Sequence, residues 1–347
     1  MKVFFSDAHR DHNPPFEVFE GGVKVPMFEC PERMDRVLSA FYKTDWAEIV
    51  PPKDFGLDPI RAVHDRDYLH YLEHAFEDWK KEGGQAHGPE FDSSVVIPAT
   101  FPLRRWQRKP KSFVGRAGYY SFDLNAPIVA GTFPAALMAA NCALSGAQAI
   151  ANGERTAFAL CRPPGHHAGR DHCGGYCYLN NAAIAAKGLS AKGRVAILDI
   201  DYHGGNGTQD IFYDSAELLT LSIHADPSYQ YPLFVGYADE TGEGAGVGYH
   251  RNFPLPPHTN DADYLRTLDE ALVLIQQFAP NYLVVSAGMD IYIDDPLGDF
   301  DVTTDGIRQI GEGMAAMKLP TLVVMEGGYN NDALGENIVA LLSAFAK

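Results

Sequence analysis

Apolar residues along this chain fall into two alternating rhythms. Short unbroken runs at Val3–Ser6, Thr156–Leu160, Val195–Ile200, Leu218–His224, Tyr282–Ala287 and Thr321–Met325 read as strands buried on both faces. Between them, apolar residues recur at three- and four-residue spacing. This predicts helices near Pro31–Tyr42, Arg66–Lys81, Pro134–Asn152, Asn181–Ala191, Asp261–Phe278, Asp305–Met317 and Ala333–Phe345. In the second helix Leu69, Leu72, Phe76 and Trp79 share one face, as core contacts do. The alternation predicts a single-domain α/β fold, a mostly parallel sheet with helices on both faces.

One region breaks the rhythm. From about Gly83 to Gly131, Gly, Pro and aromatic residues accumulate with weak periodicity, and a loop this long is usually functional or an interface. Here Arg104, Arg105, Arg108, Lys109, Lys111 and Arg116 surround Trp106 and Phe113, a mixture that can bind nucleic acid. Charge argues the other way. Lys+Arg 28 against Asp+Glu 45 gives a net charge of -17, which repels nucleic acid and anionic membranes and draws cations. A subunit contact is therefore the expected role of the insert, with no nucleic-acid or membrane partner.

No apolar run approaches the roughly 20 residues needed to span a bilayer. The start, Met1-Lys2-Val3-Phe4-Phe5-Ser6-Asp7, turns acidic too early for a signal peptide. The five cysteines, Cys30, Cys142, Cys161, Cys173 and Cys177, are an odd set that argues against a disulfide framework. A cytoplasmic protein with free thiols is the expectation.

Ligands of doubly wound sheets bind beyond the carboxyl ends of the strands. Four strand ends here carry reactive residues. Thr156–Leu160 is followed by Cys161-Arg162-Pro163-Pro164-Gly165-His166-His167, and Val195–Leu198 by Asp199, Asp201 and His203. Tyr282–Ala287 runs into Gly288-Met289-Asp290, and Thr321–Met325 into Glu326-Gly327-Gly328-Tyr329. Asp201, His203 and Asp290 offer two oxygens and one nitrogen with a position left open, the pattern of a catalytic metal site. Zinc is the default, and so oxygen-rich a set also accepts Fe(II) or Co(II). Of the tandem histidines, one can serve as general base and acid while the other stays charged, with Asp199 orienting one of them. Tyr329, freed by two glycines, can donate to a developing oxyanion.

These residues resemble the histone deacetylase superfamily, which has the arginase-like α/β fold. Further motifs carry the likeness: Pro31-Glu32-Arg33-Met34-Asp35-Arg36, Val63-His64-Asp65-Arg66-Asp67-Tyr68-Leu69 and Gly174-Gly175-Tyr176-Cys177-Tyr178-Leu179-Asn180-Asn181. Arginases on that fold use two manganese ions and a histidine pattern that this chain lacks. The resemblance implies Asp201, His203 and Asp290 as metal ligands, His167 as general base and acid beside His166, and Tyr329 as the carbonyl-polarising group. It implies Gly175 and Tyr176 as one tunnel wall and Tyr231 as the other. It also implies a potassium site at Asp199, Asp201, His203, Ser222 and Ile223, and a second near Phe212. The chain departs from the family pattern at Gly204, where a second histidine is common, and at Asn206, where nuclear deacetylases place a carboxylate behind the general base.

Within the superfamily, Phe16-Glu17-Val18-Phe19-Glu20-Gly21-Gly22 and the 83–131 insert resemble bacterial acetylpolyamine amidohydrolases. That implies a homodimer formed through the insert and a small cationic acetylated amine as substrate: acetylputrescine, acetylcadaverine or acetylspermidine. Glu17 would meet the distal ammonium and Asp123 would sit at the tunnel rim, with Phe19 and Leu297 completing the substrate site. Alternatives are a protein acetyl-lysine deacetylase, another short-chain N-acyl amine hydrolase, or a metal-binding relative without activity.

Overall fold

The computed structural model describes residues 1–19, 22–83 and 93–346. Glu20 and Gly21 of the N-terminal motif, and 84–92 of the insert, lie outside the described residues. The strands are β1 (Lys2–Phe4), β2 (Glu17–Phe19), β3 (Val23–Val25), β4 (Glu48–Val50), β5 (Thr156–Ala159), β6 (Val195–Asp199), β7 (Leu218–Ala225), β8 (His250–Leu255), β9 (Tyr282–Ala287) and β10 (Thr321–Met325). The α-helices are α1 (Glu32–Phe41), α2 (Asp58–Arg61), α3 (Arg66–Asp78), α4 (Phe113–Tyr119), α5 (Thr132–Ala151), α6 (Asn181–Ser190), α7 (Asn206–Phe212), α8 (Asp261–Phe278), α9 (Thr304–Ala316) and α10 (Leu334–Ser343).

Eight strands pair in the order β4-β1-β5-β10-β9-β6-β7-β8. Every pairing in this sheet is parallel. Successive side chains of a strand point to opposite faces, and the core divides accordingly. Ala157, Ala159, Ile197, Val284, Leu322 and Val324 pack under α3, α5 and α6. Phe158, Leu160, Leu198, Val285, Val323 and Met325 pack under α1, α8, α9 and α10. Truncating one such residue, as in Leu198→Ala, costs about 2–5 kcal/mol. This order places β5, β10, β9 and β6 side by side, so the four reactive strand ends open on one stretch of one edge.

Helices and strands anticipated from periodicity form within a few residues of their expected limits. The elements that were not anticipated are short or lie at edges. Both β4 and β8 close the sheet, and β8 tolerates Pro254 because an edge strand has one unpaired side. A β2–β3 hairpin precedes α1, and α7 follows the Gly204-Gly205 turn. The insert is also more ordered than its composition suggests. Its α4 packs on α3, with the Phe113 ring 5.9 Å from Tyr71 and 5.7 Å from Trp79. Lys109 pairs with Asp67, and Arg116 lies 3.2 Å from Asp78, so α3 acids absorb part of the basic cluster.

The expectation of no membrane-length apolar run needs correction. Helix α5 has 20 residues and a mean hydropathy of 1.2 over its most apolar window, of which 67% is buried inside the fold. It is a core helix, pressed against α6 and β5 and packed with alanine. All five cysteines are free thiols, as their odd number implied.

Candidate active site

Asp199 ends β6, and Asp201 and His203 follow it at alternate positions, where Asp290 from beyond β9 joins them. Donor atoms of Asp201, His203 and Asp290 all lie within 4.8 Å of one another. His203 Nδ1 is 3.0 Å from Asp290 Oδ2 and 3.4 Å from Asp201 Oδ1. Backbone amides orient the acids: Gly327 N–H donates to Asp201 Oδ2 at 2.8 Å, and Tyr202 N–H donates to Asp290 Oδ1 at 3.0 Å. Gly288 and Gly327 keep the space around these oxygens open. A Cβ at Gly288 would enter the Asp201 carboxylate, and one at Gly327 would lie 2.5 Å from Asp290 Oδ2.

Electrostatics test whether this set suits a cation. Burial first, and the Asp201 charge next, push the Asp290 carboxyl up to about 7. Burial opposes a charge on His203, yet its hydrogen bonds to Asp201 and Asp290 lift the imidazole to about 9. Among the described residues no Lys or Arg pairs with either acid; their ionic partners are His166 and His203. Two converging buried carboxylates thus call for positive charge that the chain does not supply with a permanent cation. An O, O, N donor set open on one side fits a catalytic divalent metal.

The tandem histidines follow β5 on an irregular loop. Glu326 holds that loop: its Oε2 accepts from Gly165 N–H at 2.6 Å and His166 N–H at 3.1 Å, and its Oε1 accepts from Ser286 Oγ at 3.0 Å. Burial pushes the Glu326 carboxyl up to about 7. The two imidazoles, 3.9 Å apart between ring centroids, have different partners. His166 Nδ1 faces Asp199 Oδ2 at 2.8 Å, whereas His167 Nδ1 faces Asn206 Oδ1 at 2.6 Å. Burial opposes charge on both rings. Asp201 and Asp199 outweigh it at His166, which is held well above the usual range. His167 is held well below that range, by burial first and by the neighbouring His166 and His203 next.

Tyr329 follows the β10 strand end. Its backbone N–H donates to Asp295 Oδ2 at 2.6 Å, and its ring lies 4.9 Å from the Arg33 guanidinium and 5.6 Å from Tyr176. Burial, only partly offset by Arg33, holds the phenol well above its ordinary range, so the hydroxyl stays a donor.

A cavity of about 490 Å³ opens over this cluster, lined by His167, Gly175, Tyr176, His203, Tyr231 and Tyr329 and also by Phe19 and Leu297. The Tyr231 ring stands edge-on to His167 at 4.9 Å. Gly175, at φ 51°, cannot carry a side chain, because a Cβ would meet the His167 ring and lie 2.8 Å from the Tyr231 hydroxyl. A larger cavity of about 750 Å³ between β7, β8 and α8 shares no residue with the strand-end cluster.

Two expected contacts are not found in this cavity. Glu17 is fully buried behind the wall, where Oε1 accepts from Phe28 N–H at 2.7 Å and Oε2 accepts from the Tyr176 hydroxyl at 2.5 Å. It is not among the residues lining the cavity, and its Oε2 braces the Tyr176 hydroxyl. Asp123 is also no free rim acid. Its Oδ2 accepts from Gly175 N–H at 2.8 Å and from the Tyr231 hydroxyl at 2.7 Å, tying the two walls together. Of the residues expected at potassium, Asp199 and Ser222 are direct partners across β6 and β7, Ile223 follows in β7, and Phe212 ends α7.

Supporting residues to which the sequence assigned no role are Glu326, Asp295 and a buried Arg33–Glu29–Arg162 network. Arg33 donates to Gly328 O at 2.8 Å, Glu326 O at 2.7 Å and Glu29 Oε1 at 2.9 Å, fixing the backbone that carries Tyr329. Its signal was available: Arg33 shares the apolar stripe of α1 with Val37 and Phe41, a position where a charge needs buried partners.

Fold and site together define a metal-dependent hydrolase built on a doubly wound parallel sheet. A histone deacetylase domain model matches residues 27–345, and the chain belongs to that family. It is 46% identical to acetylpolyamine amidohydrolase 2 of Pseudomonas aeruginosa, over 99% of this chain and 98% of that one. It is 41% identical to the acetylpolyamine amidohydrolase of Mycoplana ramosa over the full length of both. The crystal structure of an acetylpolyamine aminohydrolase from Burkholderia pseudomallei superposes with a TM-score of 0.93 at 38% identity, covering 99% of this chain and 98% of that one.

Proposed function

We propose that this protein is a zinc-dependent amidohydrolase that removes acetyl groups from acetylated polyamines, giving the free amine and acetate. The observation that carries this reading is the convergence of Asp201, His203 and Asp290 with a neutral imidazole and a phenol on one aromatic-walled cavity. Full-length likeness to proteins named acetylpolyamine amidohydrolases supports the substrate class.

Asp201, His203 and Asp290 would hold the metal. When bound, it supplies Lewis acidity, lowering the pKa of water and polarising the acetyl carbonyl. Asn206 fixes His167 with Nδ1 directed at its amide oxygen, which leaves Nε2 free to take a proton from the attacking water. The Tyr329 hydroxyl donates to the oxygen of the tetrahedral adduct. His167 returns the proton to the departing nitrogen as the C–N bond breaks. Charged His166, held by Asp199, adds a second positive group beside the developing oxyanion. Tyr176 and Tyr231 present flat apolar faces to a methylene chain and π-faces to a cation.

A structural potassium ion at Asp199, Asp201, His203, Ser222 and Ile223, and another near Phe212, belong to the same proposal. Direct pairing of Asp199 with Ser222 across the strands supports it. So do a homodimer formed through the 83–131 insert, where Leu103 and Trp106 are exposed, and a cytoplasmic setting, which suits five free thiols.

The test is a turnover panel of acetylputrescine, acetylcadaverine, acetylspermidine and an acetyl-lysine peptide, before and after chelation and zinc repletion. Zinc-dependent release of acetate from the polyamines in preference to the peptide supports the reading. Preference for the peptide transfers the function to protein deacetylation, and activity that survives complete chelation removes the metal from it.

A further inference from the structure

We infer that Asp299 is the carboxylate that receives the distal ammonium of the substrate. This deepens the amidohydrolase reading and rests on it. An acetylated polyamine brings a positive charge at the end of its alkyl chain, and a site that selects it over a neutral amide needs an anion facing the cavity. The two acids suggested by the sequence are not among the residues lining the cavity: Glu17 lies behind Tyr176, and Asp123 ties Gly175 to Tyr231.

Among the described residues lining the cavity, Asp299 is the one carboxylate, and none is Lys or Arg. It lies on the segment after β9, beyond Asp290 and Leu297. Its Oδ1 accepts from the Tyr202 hydroxyl at 2.5 Å, and its Oδ2 accepts from Gln230 Nε2 at 3.2 Å. Both donors are neutral, so they aim the group without cancelling its charge. Each carboxylate oxygen can accept more than one hydrogen bond, which leaves capacity for an ammonium. Tyr202 immediately precedes the ligand His203, with their rings 4.9 Å apart, so a single side chain links the metal-ligand segment to the acid. Leu233 and Leu297 line the same cavity and offer the apolar surface that a methylene chain requires.

The experiment compares kcat/KM for N-acetylputrescine and N-pentylacetamide, a neutral amide of matching length, on the zinc-loaded protein. Asp299→Asn keeps an acceptor for Tyr202 and removes the charge. It should lower kcat/KM for N-acetylputrescine roughly tenfold or more, chiefly through KM, because a hydrogen bond to a charged group is lost. For N-pentylacetamide, kcat/KM should fall several-fold less. Asp299→Glu should retain the preference for the cation, and Glu17→Gln should move both substrates alike. Equal effects of Asp299→Asn on the two substrates, or loss of the preference in Glu17→Gln alone, overturn the assignment. Failure of the underlying reading has its own signature: the unmodified enzyme then shows no preference for the cationic amide.

Discussion

Acid should destabilise the loop of the tandem histidines through His64. This residue is buried at the turn before α3, where its Nδ1 lies 2.8 Å from Gly169 O and its Nε2 accepts from Asn180 N–H at 2.9 Å. A carbonyl can only accept and an amide N–H can only donate, so the pair of contacts fixes a neutral ring with its proton on Nδ1. Protonating Nε2 would set two N–H groups against each other. Burial, opposed by backbone hydrogen bonds, lowers this imidazole to about 4. The unfolded chain takes up the proton near pH 6.5 and the folded chain only near 4, so between these values the unfolded state holds more protons and stability falls as pH drops. The effect amounts to about 2 kcal/mol between pH 7 and pH 5, and about 3 kcal/mol once pH 4 is passed. Urea unfolding of the parent and His64→Gln at both pH values measures it. The variant should start less stable and lose about 2 kcal/mol less on acidification. The other low-pKa rings, His9, His12, His167, His224 and His250, remain in both proteins and cancel. Parallel losses in the two proteins would refute the reasoning. Asn180 also caps α6 and donates from Nδ2 to Ala168 O at 3.2 Å, so the same acid step should loosen the backbone beside His167.

Two substitutions probe the site directly. Tyr329→Phe should keep its metal, measured by elemental analysis, and lose roughly 10²–10³ in kcat, the usual cost of one oxyanion donor; undiminished turnover would remove the phenol from the chemistry. Gly288→Ala should retain the fold by circular dichroism but bind zinc at least tenfold more weakly, comparable to losing a group that orients a ligand, because its Cβ occupies the space of the Asp201 carboxylate. Unaltered zinc affinity would mean that the acids can rearrange.

The parts of this molecule legible in one dimension are those set by local rules. Apolar strands buried on both faces and amphipathic helices announce themselves by period, and β9, β10 and α8 begin and end where the pattern does. Asp201 and His203 were legible because they sit at alternate positions past a strand, and Asp290 and Tyr329 because glycines precede them at the same sheet edge. What stayed hidden depends on contacts between distant segments. Nothing near Glu17 in sequence indicates that it will be buried with Tyr176 and Phe28 donating to its oxygens. Asp299, inside Gly298-Asp299-Phe300-Asp301, looks like any loop acid until the fold sets it in the cavity lining, bonded to Gln230 and Tyr202. Glu326 and Arg33 secure the catalytic loops by bonds spanning more than a hundred residues, which no local pattern records.

Division of labour between the tandem histidines follows from what stands behind each. A carboxylate behind an imidazole stabilises its cation, whereas an amide oxygen fixes the tautomer with far less gain for the charge. Against burial, Asp201 and Asp199 hold a charge on His166, while burial and the neighbouring His166 and His203 disfavour one on His167, where Asn206 supplies only an amide oxygen. Two titratable groups driven apart in this way suit separate acid and base roles. Were the neutral state of His167 the working form, Asn206→Asp should stabilise its imidazolium and raise its pKa by about one unit or more. His167 would then keep its proton to higher pH, and the acid limb of the kcat/KM profile should move upward in pH by the same amount. An acid limb that stays fixed, or moves down, would mean that the ring limiting the rate is not the one that Asn206 holds.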